Sequence, residues 1–473
     1  MRSPDRLSRR WGQAAAWVSA LLASAGALGA LPAAPLADPG IPGFRFPESE
    51  TTLVGWVYDL GNAGSTAASL AFERLHLHGW GLWTAVTAVT AVTAETPRRE
   101  SGRPLRVFET WATPAALIDP AEPSNRLRRF NRVAPGDDGP TAGREALASS
   151  SPPVVGFVSY DPTAADHIRR QGLLRASTLS ALLQGGEAQV PPFPNTALAL
   201  KAVYQVASAA QLVAGRYYAL KTWSGPPPVA QAWGPEQWSG CVWIDLQDGG
   251  LGRGEIDAVG AADGSSRTPA TTYPLSNLIH YRLSAEQAAD FNRAEPGASA
   301  APGDPAILVA MHVAGREISR WTWQTFWWTP RPEAPPAPSS AEVAALRPDA
   351  LQGPARHYAM ALGYDMTSPS QPVTRGVNGG VARYVYNPWL EARFGPADLP
   401  DSLPGYDPTG QPAPNNCGVE SNCMSCHSRA NYHPAGLTTA PRYAGARYVD
   451  LADPQFAGTI QLDFLWTLAE DAR

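Results

Sequence analysis

Residues 320–328 read Arg320-Trp-Thr-Trp-Gln-Thr-Phe-Trp-Trp328, the densest aromatic run in a 473-residue chain that carries 16 Trp. Side chains alternate along an extended strand, so Trp321, Trp323 and Trp327 share one face while Phe326 and Trp328 take the other. Large aromatics on both sides predict a strand inside a sheet that is buried on both faces. An aromatic binding cleft, or a path for electrons, is the alternative reading. Working outward, residues 306–318, 197–206, 217–223 and 242–246 alternate or run apolar between turn-rich gaps, which predicts an antiparallel sheet. Residues 65–83 turn helical, with Phe72, Leu75, His76 and Trp80 at three- and four-residue steps. Residues 105–119 pass from a strand into a short helix opened near Pro114. Strands and helices in separate runs give an α+β class.

The Pro-rich stretch 329–354 suggests a boundary. The expected organisation is an export signal over 1–37, a large Trp-rich α+β domain over 38–340, and a small, mainly helical or irregular segment over 341–473. Within the last, 356–363 reads as a short helix, 383–386 as a strand, and 462–472 as helical. Residues 120–153 read as a long loop holding a small basic cluster, Arg126, Arg128, Arg129 and Arg132, best taken as a solvated face. The Thr-Ala-Val units of 84–94 are too short to signal a solenoid.

Arg2, Arg6, Arg9 and Arg10 precede the apolar run Ala14–Ala30, and small residues from Ala25 to Ala37 offer cleavage points. The run is marginal for spanning a bilayer of about 30 Å, so the reading is a removed signal, periplasmic or otherwise exported, with membrane contact only if it stays uncleaved. Without residues 1–37 the net charge is about −8, which argues against a nucleic-acid partner.

Cys423-Met-Ser-Cys426-His427 carries the most specific chemistry in the chain. Two thiols at CxxC spacing can add to the vinyl groups of a haem, and the adjacent imidazole then ligates the iron. Two other readings use the same residues: a zinc site from Cys417, Cys423, Cys426 and His427 or His433, or a plain disulfide turn. Cys241 and Cys417 remain; in an oxidising compartment they either bridge or stay as buried free thiols.

The pentapeptide resembles the attachment site of c-type cytochromes. A Trp-rich exported region followed by one C-terminal CxxCH is similar to exported bacterial proteins of the cytochrome family. The resemblance implies one covalently bound haem c on Cys423 and Cys426, with His427 as the proximal ligand. The chain departs from small cytochromes in having no Met after His427. A distal ligand must then come from upstream, with Met366 first, then Met360 and His357, or from His433. Met424 lies inside the binding loop and is excluded. His312, in the apolar Ala310–Val313 run, is by default a core histidine with catalysis or iron binding as the minority reading. His280 with Tyr281 is read the same way, His76 and His78 as surface or core residues, and Glu109 as a solvated or capping carboxylate.

The expected function is single-electron transfer with a redox partner protein or a small-molecule donor or acceptor. The alternatives are a haem-dependent oxidoreductase with a substrate site in the N-terminal domain, or a haem sensor. No P-loop, dinucleotide fingerprint, HExxH or GxSxG points to another active site.

Overall fold

The computed structural model describes residues 33–61, 64–93, 103–120, 128–129, 154–247, 254, 267–295, 297–368, 370, 380–395, 405–406, 412–413, 417–434, 448–452, 454–470 and 472. Residues 1–32, with most of the expected export signal, lie outside them, as do Arg126 and Arg132. Among the described residues no helix is long and apolar enough to cross a membrane.

The fold is α+β, built on a seven-stranded antiparallel sheet. Its strands run, in spatial order, Tyr358–Gly363, Thr322–Trp328, Pro305–Gly315, Leu198–Val206, Val155–Tyr160 and Arg128–Arg129, with His280–Arg282 pairing the start of Pro305–Gly315. Every residue of Thr322–Trp328 is buried, so the aromatic run does lie inside a two-sided sheet. Trp321 is the exception to its predicted row. It precedes the strand at φ 60°, a left-handed conformation unusual outside glycine, and packs edge-on against Phe193 at 5.6 Å. A second, three-stranded sheet holds Tyr217–Thr222, Gly240–Asp245 and Thr272–Pro274.

The two faces of the large sheet receive different partners. Register places Met311, Phe326 and Met360 side by side on one face. There Trp83, from helix Thr66–Thr87, stacks on Phe326 at 4.3 Å and meets Tyr358 in a tilted contact at 4.9 Å. The helix comes this close because it presents Gly79: a Cβ there would stand 2.6 Å from Leu362 Cδ2 and 2.8 Å from Met360 Sδ. The other face carries Lys201, His312, Thr325, Tyr160, Trp323 and Trp327, and between these the small residues Ala199, Ala310, Ala314, Ala361 and Gly363 admit side chains from elsewhere. Segments from the last quarter of the chain supply it. Val385 packs on Gly363, and Asn387 Nδ2 donates to Thr325 Oγ1 (2.7 Å) and Phe326 O (3.0 Å).

Several sequence readings change here. Residues 356–363 are not a helix; after a 3-10 turn, Tyr358–Gly363 becomes the edge strand of the main sheet. The boundary expected near 340 therefore does not divide folding units, and residues 33–473 form one compact unit. The strand expected over 383–386 reduces to an isolated bridge of Val385 to Asn422, next to the short strand Val381–Ala382, and among the described residues the helix in 462–472 is Thr467–Glu470. Glu109 is a capping carboxylate: it accepts from Arg106 N–H at 2.7 Å and grips Arg103 at 2.6 and 3.0 Å. His76 Nδ1 meets Phe72 O at 2.7 Å, and His78 lies between Tyr364 Oη (2.7 Å) and Glu317 (3.0 Å), both apart from any shared metal role.

Candidate functional site

Cys423–His427 forms a single helical turn against the small-residue face of the sheet. Asn422 is its N-cap, and its side chain does three things at once. Oδ1 accepts from Ser425 N–H at 3.0 Å, which caps the turn, while Nδ2 donates to Arg383 O at 2.8 Å and Asp365 O at 3.1 Å. A parallel bridge between Val385 and Asn422 and a contact from Cys423 Sγ to Val385 O at 3.3 Å complete the seat.

His427 is held from two sides. Its Nδ1 lies 2.8 Å from Phe464 O, where Nδ1–H is the donor, and its ring lies over Trp323 with centroids 4.1 Å apart. With Nδ1 engaged on a carbonyl, Nε2 is the nitrogen left with a lone pair, the arrangement that fixes tautomer and orientation in a metal-ligating histidine. Phe464 reaches this position through a built backbone. Asn431–Tyr432 pairs with Ile460–Gln461, and the next turn carries Asp463 at φ 44° and Phe464 at φ 70°. Two consecutive non-glycine residues in the left-handed region persist only where surroundings enforce them. Asp463 Oδ2 supplies that by accepting from Arg316 Nε and Phe193 N–H, both at 2.9 Å.

Burial sets the electrostatics. It pushes the Cys423 thiol well above its ordinary range and Cys426 up to about 12, and it lowers His427 to about 4, so at neutral pH all three side chains are uncharged. Ionisable groups stand around them. Lys201, lowered by burial, and His312 act on His427; Glu391 and Glu470 act on Cys426. Lys201 and His312 are register partners on adjacent strands. His312 Nε2 lies 3.2 Å from Glu391 Oε1, and Glu391 Oε2 accepts from Asn387 N–H at 2.7 Å. Burial alone would raise Glu391, but His312, Asn387 N–H and Lys201 together hold it below the usual carboxylate range.

The chain matches no protein-family model, no curated protein and no solved structure. The site is therefore read from its own residues. The donor types are those a c-type haem would take: two uncharged thiols and one imidazole with Nε2 left a lone pair, on one capped turn. Among the described residues no group of three or more His, Cys, Asp or Glu side chains is arranged to hold a metal ion, so the Cys417/Cys423/Cys426/His zinc alternative finds no assembled tetrahedron.

The remaining sequence candidates fall as follows. No disulfide joins Cys241 to Cys417, both of which are buried, and none joins Cys423 to Cys426. Cys241 sits inside the strand Gly240–Asp245, whereas Cys417 starts the 3-10 turn before the CxxCH helix. Met366 is near in the chain path, one residue past Asp365, but its sulfur accepts from Val449 N–H at 3.2 Å and faces Arg320 Nη1 at 3.8 Å. Met360 is on the opposite face of the sheet, against Gly79. His357 packs with Trp328 and Tyr273. His433 follows the short strand Asn431–Tyr432. His280 Nδ1 meets Leu278 O at 2.9 Å and has no place in the site.

Lys201, Glu391, Trp323 as a stacking partner and the Phe464 carbonyl were not singled out from the sequence for this site. Lys201 left a signal, a lone charge in the apolar strand Leu198-Ala-Leu-Lys-Ala-Val-Tyr204. Glu391 and Phe464 left none, since their roles depend on pairings between distant segments.

Proposed function

We propose that the protein is an exported, monohaem c-type cytochrome that passes single electrons to or from a redox partner protein or a small-molecule donor or acceptor. One observation carries this reading: the CxxCH turn is capped by Asn422 and holds His427 Nδ1 on a backbone carbonyl, which leaves Nε2 for iron. Cys423 and Cys426 would form the thioether links and His427 would be the proximal ligand. When bound, haem supplies one-electron cycling between ferrous and ferric iron. The chain's own part is to orient the imidazole, to exclude water by burial and to present Trp323 in π contact with the ligand ring.

The Lys201–His312–Glu391 group favours a second reading, a haem-dependent oxidoreductase, because it places proton-exchanging side chains beside the site rather than a plain apolar wall. The test is to express the chain with the c-type maturation machinery and digest it after denaturation. The wild type is expected to keep haem covalently on the Cys423–His427 peptide, and Cys423→Ala/Cys426→Ala to lose it. Haem released from the wild type by denaturation alone contradicts the attachment. A low-spin ferric spectrum supports electron transfer; a high-spin one supports the oxidoreductase.

A further inference from the structure

A cleft of about 230 Å³ opens beside the His427 turn, and its wall includes Arg316, Ser319, Arg320, Ser428, Asp463 and Phe464. Among the lining side chains two guanidinium groups meet one carboxylate, Asp463, while Glu50 Oε1 accepts from Ser319 N–H at 2.9 Å beside the cleft. Asp463 is committed to Arg316 through Nε and to Phe193 N–H. Among the described residues Arg320 has no carboxylate in hydrogen-bond contact. It donates to Val449 O at 3.0 Å and Tyr448 Oη at 3.2 Å and lies over the Tyr448 ring, and Asp450 acts on it only through space. Buried charges are normally paired, and a guanidinium cannot shed its proton to escape the cost. Among the described residues Arg316 Nη2 and Arg320 Nε make no hydrogen bond, which leaves N–H donors for a ligand.

We propose that this cleft binds a small organic carboxylate through Arg316 and Arg320. Guanidinium forks match the planar carboxylate, the Ser428 side of the wall adds polar contacts, and Ala430, Leu451 and Phe464 offer an apolar surface for a short carbon body, which an inorganic oxyanion would not use. The volume equals roughly seven or eight waters at about 30 Å³ each, which limits the ligand to a short acid. Gln189 and Ser319 are exposed at the mouth, so the cleft is open to solvent. The site stands on its own geometry and does not require the haem assignment.

The experiment is titration of the full-length, haem-loaded protein with acetate and succinate, with sulfate as control at constant ionic strength, followed by calorimetry and thermal shift. Saturable binding of a carboxylate is expected, at least tenfold weaker in Arg320→Gln. Ser319→Trp, at an exposed position, is expected to weaken binding by blocking the mouth while leaving the ligand-free melting temperature unchanged, so the test survives if Arg320→Gln fails to fold. Absence of saturable carboxylate binding, sulfate binding as tight as carboxylate, or indifference to both variants would overturn the proposal. Binding confined to the haem-free Cys423→Ala/Cys426→Ala protein would overturn it too, by assigning the cleft to the haem's own carboxylates. Running the same titration on the haem-free Cys423→Ala/Cys426→Ala protein keeps its outcome separate from the haem assignment.

Discussion

Replacing Asp463 by Ala is the sharpest test of how the C-terminal strap is held. The Asp463 side chain is 4% exposed and joins three parts of the fold: the hairpin arginine Arg316, the Phe193 backbone and the turn that aims Phe464 O at His427. Removing one partner of a buried pair costs about 3–5 kcal/mol. A buried N–H left without an acceptor costs about 1–3 kcal/mol. Arg316 is 14% exposed and opens onto the cleft, so water recovers part of this and the expected loss is about 3 kcal/mol in all. Asn at 463 tolerates the left-handed backbone and keeps an acceptor for Phe193 N–H, so Asp463→Asn is expected to lose only about 1–2 kcal/mol. Urea unfolding with an unchanged slope reads these differences from the midpoints. In haem-loaded protein, Asp463→Ala should also shift the reduction potential, because a carbonyl bonded to the ligating imidazole tunes its basicity. An alanine variant within about 1 kcal/mol of wild type, with an unmoved potential, would refute the strap.

Three further outcomes are expected. Gly79→Ala gains about 1 kcal/mol of helix propensity but drives a methyl into Leu362 and Met360, at a cost of about 1–3 kcal/mol; a net loss in urea unfolding is expected, and a stabilised variant would contradict the close helix–sheet approach. Burial, helped by Arg347 and Arg356, lowers His357 from 6.5 to about 4. Its unfolded form therefore binds more protons between those values, stability falls as pH drops through that window, and His357→Phe should flatten part of the fall. Ala34 N–H donates to Thr110 Oγ1 at 2.8 Å and Ala34 O accepts from Trp111 Nε1 at 2.9 Å, so N-terminal sequencing of exported protein should find cleavage upstream of Ala34. A mature chain starting at Asp38 would show that these contacts are dispensable.

Legibility from sequence followed locality. Burial of Thr322–Trp328 on both faces was readable because alternation along one strand is a local property. The CxxCH spacing is a local pattern and so was visible in the sequence, whereas its helical turn and the seat it packs on come from the fold. Tyr358–Gly363 was misread because Ala, Met and Leu favour helices, and pairing with Thr322–Trp328 overrides that preference. The same pairing erased the boundary near 340, where a proline-rich stretch proved to be a loop inside one unit. His312 was visible as a buried histidine, but its neighbours depend on the register that sets Lys201 beside it and on the chain path that brings Glu391 across. The Met366 sulfur looked free to ligate only while Val449 and Arg320 were unplaced.

Whether Cys423, Cys426 and His427 hold a haem is decided by a pyridine haemochrome spectrum with metal analysis of the purified protein. One iron per chain is expected, with the absorption of a haem whose two vinyl groups have been saturated by thioether bonds; zinc in place of iron, or a haem with both vinyls intact, would contradict the attachment.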